Sequence, residues 1–219
     1  MGNVWITGAG TGLGRALAHQ YAENGHTVFL SGRTEKNLLV VQEEIKRNGG
    51  KAEVLICDVT EPSSIKEALR QIDSLNVLIN NAGIGIFGEL SSYAAEDIDK
   101  MLHTNVKGTI LATQMAYPKL KETEGRVLNI ISTAGLRGKK NESVYCASKF
   151  AVKGFTASLH KEWEEENITA TAVYMGGMNT PFWSETDHVS NPEKLKGPEV
   201  VAKQIYNEDD GREEIFVDR

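Results

Sequence analysis

Short apolar segments alternate with amphipathic ones along almost the whole chain, and this alternation limits the folds that it can adopt. Seven apolar or β-branched runs each predict a β-strand, at residues 3–7, 27–31, 53–57, 77–80, 126–132, 169–174 and 214–217. Between them, apolar residues recur with helical spacing around residues 13–21, 38–45, 65–72, 98–106 and 152–159. This order predicts an α/β fold: a doubly wound, seven-stranded parallel sheet with helices on both faces and right-handed crossovers.

The length of the chain fits one domain. It has 219 residues, of which 40% are hydrophobic and 25% are charged. That composition can bury one full core and leaves little chain for a second. No repeat, low-complexity tract or linker interrupts the alternation. We therefore expect a single domain over residues 1–219.

The formal net charge of −6 argues against two classes of partner. Nucleic acids and anionic membranes are bound by clustered positive charge, so we expect neither. The longest apolar runs have about five residues, far fewer than a membrane span needs, and no basic segment precedes the first strand. We expect a cytoplasmic protein. Cys57 and Cys146 supply neither a disulfide framework nor a metal site, and the histidines show no ligand spacing.

A glycine-rich turn follows the first strand, reads TGAGTGLG at residues 7–14, and leads directly into an amphipathic helix. Glycines let the backbone approach a pyrophosphate, and the start of the helix supplies free N–H groups. The spacing is T-G-x-x-x-G-x-G rather than G-x-G-x-x-G, and a plain tight turn is the alternative. Its place between strand and helix favours a dinucleotide site in a Rossmann-type domain. The expected contacts are Thr7, Gly8, Gly12, Leu13 and Gly14.

The end of the second strand indicates which dinucleotide binds. NAD sites place an acidic side chain there to bind the ribose 2′-hydroxyl, whereas this chain has Ser31, Gly32 and Arg33. A cation in place of the acid favours the 2′-phosphate of NADP, with contacts from Ser31 and Arg33, and makes NAD the less favoured cofactor. The alternative is that Arg33 is a solvated cation in an ordinary turn.

The third strand ends at Asp58 and Val59, and both are candidate cofactor contacts. Asp58 can accept a hydrogen bond from the adenine amino group, or it can cap the segment that follows. Its position directly after a strand favours the adenine contact.

Tyr145 and Lys149 stand four residues apart, so on a helix they share one face. A lysine in that position can lower the pKa of the phenol from about 10 toward neutrality and make it a usable proton donor. Such a tyrosine can protonate a carbonyl oxygen as hydride arrives, and Ser132 ends the apolar run upstream. The alternative is an exposed lysine beside a half-buried ring, because Y-x-x-x-K also occurs by chance in helices.

Together these motifs resemble those of the short-chain dehydrogenase/reductase family, and the resemblance covers essentially the whole chain. It rests on the glycine-rich turn, Asp58, the turn at residues 80–83, Asn105, Ser132, Tyr145 with Lys149, and residues 176–180. Further cofactor contacts that the resemblance implies are Asn81, Ala82, Gly83, Gly176 and Thr180. Thr180 matches the residue that binds the nicotinamide carboxamide. Met175 stands where the family has proline, which frees the backbone there and loosens the loop.

The resemblance implies a catalytic tetrad of Asn105, Ser132, Tyr145 and Lys149. Tyr145 would be the general acid in reduction and the base in oxidation, and Ser132 would hold and polarise the substrate oxygen. Lys149 would hold the nicotinamide ribose and lower the pKa of Tyr145, while Asn105 would order a water that connects Lys149 to solvent. From the residues alone, a core serine, a solvent-facing asparagine and a chance Tyr–Lys pair are the alternatives.

Substrate specificity is expected in three loops beyond the carboxyl ends of strands, at residues 83–90, 134–143 and 181–197, with the main substrate loop at about 178–197. Met178, Phe182 and Trp183 suit an apolar lid. Basic residues at 137, 139 and 140 could attract an anionic substrate, but a charged loop is more often simply solvated.

The function expected from the sequence is that of an NADPH-dependent reductase of a small ketone, aldehyde or diketone, or of an enzyme running the reverse alcohol oxidation. The alternative is a catalytically silent NADP-binding regulator or redox sensor on the same fold. The family resemblance also implies a homodimer or homotetramer, paired through helices at residues 94–117 and 144–166. Ala112, Met115, Phe150, Leu159 and Trp163 are candidate contacts.

Overall fold

The structure is a computed structural model, and it describes residues 1–184 and 186–217. Residue 185 of the expected substrate loop and the last two residues of the expected domain lie outside the described part. The strands are β1 (Asn3–Thr7), β2 (Thr27–Gly32), β3 (Lys51–Ile56), β4 (Val77–Asn80), β5 (Arg126–Ile130), β6 (Thr169–Tyr174) and β7 (Glu214–Phe216).

All seven strands form one parallel sheet in the order β3-β2-β1-β4-β5-β6-β7. The first three strands therefore run from β1 in the middle of the sheet to β3 at one edge. The chain then crosses back to β4, next to β1, and the remaining strands continue to β7 at the other edge. In such a sheet the carboxyl ends of β1 and β4 diverge and leave a crevice, which is the usual ligand position in open parallel sheets.

The helices are α1 (Gly12–Glu23), α2 (Glu35–Arg47), α3 (Pro62–Arg70), α4 (Ala95–Leu102), α5 (Thr109–Glu122), α6 (Ser143–Glu162) and α7 (Pro198–Glu208). α1, α2 and α7 bury apolar side chains on one face of the sheet, and α3, α5 and α6 do so on the other. Because both faces are covered, the strands between them are almost continuously buried. The predicted doubly wound α/β fold is confirmed.

A π-helical segment, His103–Gly108, joins α4 to α5 and contains Asn105. Such π segments are rare in proteins, and those that occur often lie at functional sites. The sequence pattern predicted a helix around residues 98–106 without this change of winding, because hydrophobic periodicity does not report which carbonyl an N–H group reaches.

Helix α7 is absent from the sequence-based interpretation, which assigned no element between residues 197 and 214. It begins at Pro198, a favoured first helical residue, and buries Val201, Ala202 and Ile205 in the core next to α1. This apolar spacing was the signal that could have found it. Past the end of α7, Asp209 accepts hydrogen bonds from Arg126 of β5 at 2.5 and 2.7 Å, which fixes the helix to the sheet.

Strand boundaries differ from the predictions mainly at two places. β3 begins at Lys51 and ends at Ile56, and β5 ends at Ile130 rather than at residue 132. Ser132 therefore lies beyond its strand, at the start of the 3-10 turn Thr133–Gly135. Within residues 1–184 and 186–217, no helix has both the length and the apolar character needed to cross a membrane.

Candidate active site

A cleft of about 530 Å³ lies beyond the carboxyl ends of the strands. It is bordered by the turn after β1, the turn after β4, the end of β5, the start of α6 and the loop after β6. The predicted residues on its lining are Gly8, Gly12, Leu13, Arg33, Asn81, Ala82, Gly83, Ser132, Tyr145, Lys149, Gly176 and Thr180. The topology therefore brings most of the predicted cofactor and catalytic residues to one cavity.

The glycine-rich turn is packed against the turn after β4. Asn81 Nδ2 donates to the carbonyl oxygens of Thr7 and Gly8 at 3.0 and 3.1 Å, and Thr7 Oγ1 accepts from the N–H groups of Asn81 and Ala82. Thr7 is 1% exposed, so its side chain joins the two turns and does not reach the cleft. A Cβ at Gly14 would lie 2.2 Å from the Gly8 oxygen, which only glycine avoids. Thr7 and Gly14 thus fix the shape of the glycine-rich turn without lining the cleft themselves.

The start of α1 opens toward the same cleft. Thr11 is its N-cap residue, lines the cleft, and makes no side-chain hydrogen bond to the first turn. The first N–H groups of the helix and the positive end of its dipole are therefore available for an anionic group. Gly12 adopts φ +53° beside Thr180, whose side chain would lie 3.2 Å from a Cβ at Gly12. This contact brings the loop after β6 against the glycine-rich turn.

Arg33 follows β2, is exposed, and lines the cleft. Among the described residues no carboxylate forms an ion pair with it, so the guanidinium can serve an anionic ligand. Ser31 differs, since its side chain is fully buried and does not line the cleft. A contact from Ser31 to a cofactor would have to come from its backbone, and its role stays a prediction.

Asp58 and Val59 are also absent from the lining of the cleft. Asp58 Oδ1 accepts from the backbone N–H and the hydroxyl of Thr60 at 2.9 and 2.8 Å, which is the capping contact considered as the alternative. One carboxylate oxygen is thus engaged locally. Val59 is 7% exposed and packs close to Gly108. The predicted adenine contact of Asp58 requires its second oxygen and stays a prediction.

Ser132 has an unusual backbone, with φ +97° and ψ 156°. This region is essentially restricted to glycine, and occupying it costs on the order of 1–3 kcal/mol. Hydrogen bonds on both sides hold the backbone in place: Ile131 N donates to Val173 O at 2.8 Å, and Thr133 N donates to Met175 O at 2.9 Å. Strain of this kind concentrates at functional sites, and Ser132 lines the same cleft as Tyr145 while its hydroxyl oxygen accepts from Ala134 N at 3.3 Å.

Tyr145 and Lys149 lie on one face of α6, as their spacing predicted. The Lys149 ammonium is 5.7 Å from the centre of the Tyr145 ring, and both residues are buried. Lys149 Nζ donates to the carbonyl oxygen of Ile130 at 3.0 Å. Among the described residues no carboxylate forms an ion pair with Lys149. A buried ammonium without an acidic partner is costly, and burial lowers the pKa of Lys149 to about 8.

The pKa of Tyr145 is shifted in the direction opposite to the one expected from the sequence. Burial raises the pKa of this phenol well above its ordinary value, and the nearby carboxylate of Glu142 raises it further. The hydrogen bond with Ser132 opposes the rise but does not cancel it. Burial, and not Lys149, sets the direction of this shift in the structure. Tyr145 is therefore held in its protonated form across the neutral pH range.

Asn105 is 1% exposed, which excludes the solvent-facing alternative. Its Oδ1 accepts from Ile84 N at 2.8 Å, and its Nδ2 donates to Ile84 O at 2.9 Å and to Ser148 Oγ at 3.0 Å. Asn105 thus fixes the loop after β4 to α6. A Cβ on Gly83 would lie 3.3 Å from Asn105 Oδ1 and 3.7 Å from Lys149 Nζ, so both side chains border Gly83. A water held between them stays a prediction.

Aromatic rings close one end of the cleft. Phe182 and Trp183 line it, as expected for a lid, and Trp183 Nε1 donates to Met178 O at 2.9 Å. Phe87 contacts Tyr145 edge-on, with ring centres 5.4 Å apart, and stacks on Trp183 at 5.5 Å. His188 stacks on the same Phe87 ring at 4.6 Å. Sequence reasoning placed Phe87 and His188 in loops but assigned neither a role, because their contacts join segments far apart in the chain.

Glu142 is a third residue to which sequence reasoning assigned no role. It lines the cleft, is 7% exposed, and pairs with His188. Lys139 also lines the cleft, and its ammonium lies 3.9 Å from the Glu142 carboxylate. Arg137 and Lys140 are exposed and do not line the cleft. Of the three basic residues considered for an anionic substrate, only Lys139 borders the cavity.

Comparison with known proteins supplies the family. A model of the short chain dehydrogenase family matches residues 2–190. A sepiapterin reductase from Chlorobaculum tepidum is 30% identical over 214 residues, covering 90% of this chain and 88% of that protein.

Solved structures show the same fold. A variant of actinorhodin polyketide ketoreductase, solved with NADPH, superposes with a TM-score of 0.88 at 28% identity and covers 98% of this chain and 95% of its own. A short chain dehydrogenase/reductase from Burkholderia phymatum, solved in complex with NAD, also has a TM-score of 0.88, at 23% identity, with 98% of this chain and 88% of its own covered. These similar proteins include one solved with each nicotinamide dinucleotide.

Proposed function

The chain belongs to the short chain dehydrogenase family, and from that premise we propose that it is an NADPH-dependent reductase of small carbonyl compounds, with Tyr145 as general acid. One observation carries the proposal: the buried phenol of Tyr145 lies in the cleft beside a strained Ser132 and beside the ammonium of Lys149, which has no carboxylate partner among the described residues. The names of two similar proteins, a sepiapterin reductase and a polyketide ketoreductase, favour reduction of a ketone.

The lining of the cleft fits a dinucleotide. The glycine-rich turn leaves no room for a Cβ at residue 14, the first turn of α1 is open, and Arg33 is available at the far end. These features would hold a pyrophosphate and a 2′-phosphate. Lys149 would hold the nicotinamide ribose, with Thr180 and the turn at 81–83 alongside. When bound, a reduced nicotinamide supplies the hydride that the reaction needs.

The chain's own residues would carry the proton. Ser132 donates a hydrogen bond to the carbonyl oxygen of the substrate, which polarises the bond and positions it. Tyr145 then gives its proton to that oxygen as negative charge develops, so a C=O group plus hydride and one proton becomes an alcohol. A phenol that stays protonated at neutral pH suits this direction. Lys149 stabilises the tyrosinate that is left, and solvent returns the proton.

Purified protein mixed with NADPH and a panel of ketones, aldehydes and diketones should oxidise the cofactor. The reaction is measured as the loss of NADPH absorbance. We expect turnover with at least one class, and no turnover when the carbonyl compound is left out. Tight NADPH binding without turnover on any compound would instead indicate a redox sensor or regulator that kept the fold. The panel also identifies the substrate class.

We further propose a homo-oligomer paired through α4–α5 and α6. Leu102, Ile110 and Phe150 are 38%, 36% and 44% exposed on these helices, so their apolar surface is accessible to a partner subunit. Of the five contacts expected from sequence, Ala112, Leu159 and Trp163 are instead buried in the core of the subunit, and Met115 packs against it.

Sedimentation at micromolar concentration should therefore show a species at least twice the 24.0 kDa mass of one chain. Phe150→Asp should shift the population toward monomer, because a charge in an apolar interface loses its hydration. Lys161→Asp, at an exposed position near the end of α6, is the control and should leave the mass unchanged. A wild-type protein that sediments only at 24.0 kDa contradicts the proposal.

A further inference from the structure

Glu142 is a buried acid that the proposed mechanism does not use. It directly precedes α6, lies three residues before Tyr145, and lines the same cleft. Its side chain is only 9% exposed. Moving a carboxylate out of water is costly unless partners replace the lost hydration. The partners of Glu142 therefore indicate what keeps it there.

Three features stabilise the carboxylate. His188 Nε2 donates to Oε1 at 2.9 Å, and Lys139 Nζ lies 3.9 Å from Oε2. The position at the N-terminus of α6 adds the positive end of the helix dipole. The side chain of His188 is 19% exposed, so its bond to Glu142 is largely shielded from water.

The His188 ring is itself fixed beside Tyr145. It stacks on Phe87 with ring centres 4.6 Å apart and planes 16° apart, and Phe87 meets the Tyr145 ring edge-on at 5.4 Å. A continuous set of contacts therefore runs from the Glu142 carboxylate through two rings to the phenol. This arrangement sets the distance between the carboxylate and Tyr145 more firmly than a solvated side chain could.

A negative charge at this place opposes ionisation of the phenol, since tyrosinate formation would put two negative charges into one poorly hydrated cleft. The carboxylate adds to burial in raising the pKa of Tyr145. Lys139 acts in the opposite direction because its cation partly offsets the carboxylate. The titratable side chains that face Glu142 and Tyr145 from the surrounding segments are Tyr93, Lys139, Cys146, Lys149 and His188.

We propose that Glu142 is a positioning residue for the proton step: its carboxylate, held by His188, adds to burial in keeping the Tyr145 phenol protonated, so that alcohol oxidation begins at a higher pH than it would without this charge. This inference rests on the proposed function, because it assigns Tyr145 the role of proton donor. It adds a residue outside the predicted tetrad that influences the pH range in which Tyr145 carries its proton.

The test is the pH dependence of alcohol oxidation with NADP, in which Tyr145 must first lose its proton, so kcat/KM rises with pH to a midpoint. Glu142→Gln keeps the size of the side chain and removes the charge. We expect the midpoint to fall by about 0.5–1 pH unit, which makes oxidation roughly three- to tenfold faster below the midpoint. Lys139→Met removes the offsetting cation and should raise the midpoint.

His188→Gln keeps a donor for Glu142 and the charge of the carboxylate but removes the ring that stacks on Phe87, so it separates positioning by the ring from the effect of the charge. It should move the midpoint much less than Glu142→Gln does. An unchanged or raised midpoint in Glu142→Gln overturns the inference, provided that circular dichroism shows a folded variant. A merely structural role for Glu142 would lower kcat at all pH values without moving the midpoint.

A second measurement needs no turnover and so separates this inference from the proposed function. Protein labelled with 3-fluorotyrosine, whose phenol is more acidic, is titrated by ¹⁹F NMR, and Tyr145→Phe identifies the signal. The midpoints should rank Glu142→Gln below wild type and wild type below Lys139→Met. The same ranking without any turnover would support Glu142 while contradicting the reductase proposal. An equal or reversed ranking overturns the role of Glu142.

Discussion

Tyr145→Phe should lower kcat for carbonyl reduction by about 10²–10⁴-fold, the usual contribution of a general acid, while NADPH still binds. The substitution removes only the hydroxyl that bonds to Ser132. The ring remains, and its contacts with Phe87 at 5.4 Å and Phe182 at 6.0 Å keep the wall of the cleft packed. The loss should therefore appear in kcat more than in KM. Steady-state kinetics with the best carbonyl of the panel, together with NADPH titration by fluorescence, measure both effects.

Tyr117→Phe is the control for this variant. It also removes one phenolic hydroxyl, but that hydroxyl donates to Glu166 on the outer surface, away from the cleft. We expect near wild-type kcat for Tyr117→Phe. If Tyr145→Phe also kept turnover within about tenfold of wild type, Tyr145 would not be the proton donor and the mechanism would be wrong.

Arg33→Ala should weaken NADPH binding by roughly 10- to 150-fold and leave NADH binding nearly unchanged. A charge-assisted hydrogen bond from the guanidinium to the 2′-phosphate contributes about 1.5–3 kcal/mol, which corresponds to that range. Arg33 borders the cleft and has no ion-pair partner among the described residues, so its full charge is available. Dissociation constants for NADPH and NADH, measured at two salt concentrations, test this, and higher salt should weaken NADPH binding more.

Substitutions at Gly32 and Arg33 should also reverse the expected preference for NADPH over NADH. A Cβ at Gly32 would lie 3.5 Å from Leu38, an ordinary contact, so an aspartate fits there. Gly32→Asp combined with Arg33→Ala should bind NADH better than NADPH, because the new carboxylate repels the phosphate and accepts from the ribose hydroxyl. Arg47→Ala, which removes an exposed arginine at the end of α2, is the charge-matched control for Arg33→Ala. Equal binding of both cofactors by wild type, unchanged by Arg33→Ala, would make Arg33 an ordinary solvated cation.

Local patterns were sufficient for the fold and for the position of the cofactor turn. Alternating apolar runs and 3.6-residue periods depend on neighbours within one element, so they indicated which segments form strands and helices and that the sheet is parallel. The strand order came from the structure. The glycine-rich turn could also be located from local sequence, because its glycines are required by backbone geometry at that turn, as Gly14 shows. The four-residue spacing placed Tyr145 and Lys149 on one face of α6 for the same reason.

Contacts between distant segments were not accessible from these patterns. Glu142 meets His188 across 46 residues, and Phe87 reaches the substrate loop from the other side of the cleft. The pKa of Tyr145 rises because folding buries the phenol beside a carboxylate, whereas sequence spacing showed only the lysine. The positive φ of Ser132 likewise depends on hydrogen bonds to β6. Periodicity and spacing report what one element presents, but hydration and charge at a site depend on every element packed around it, and only the folded chain brings those together.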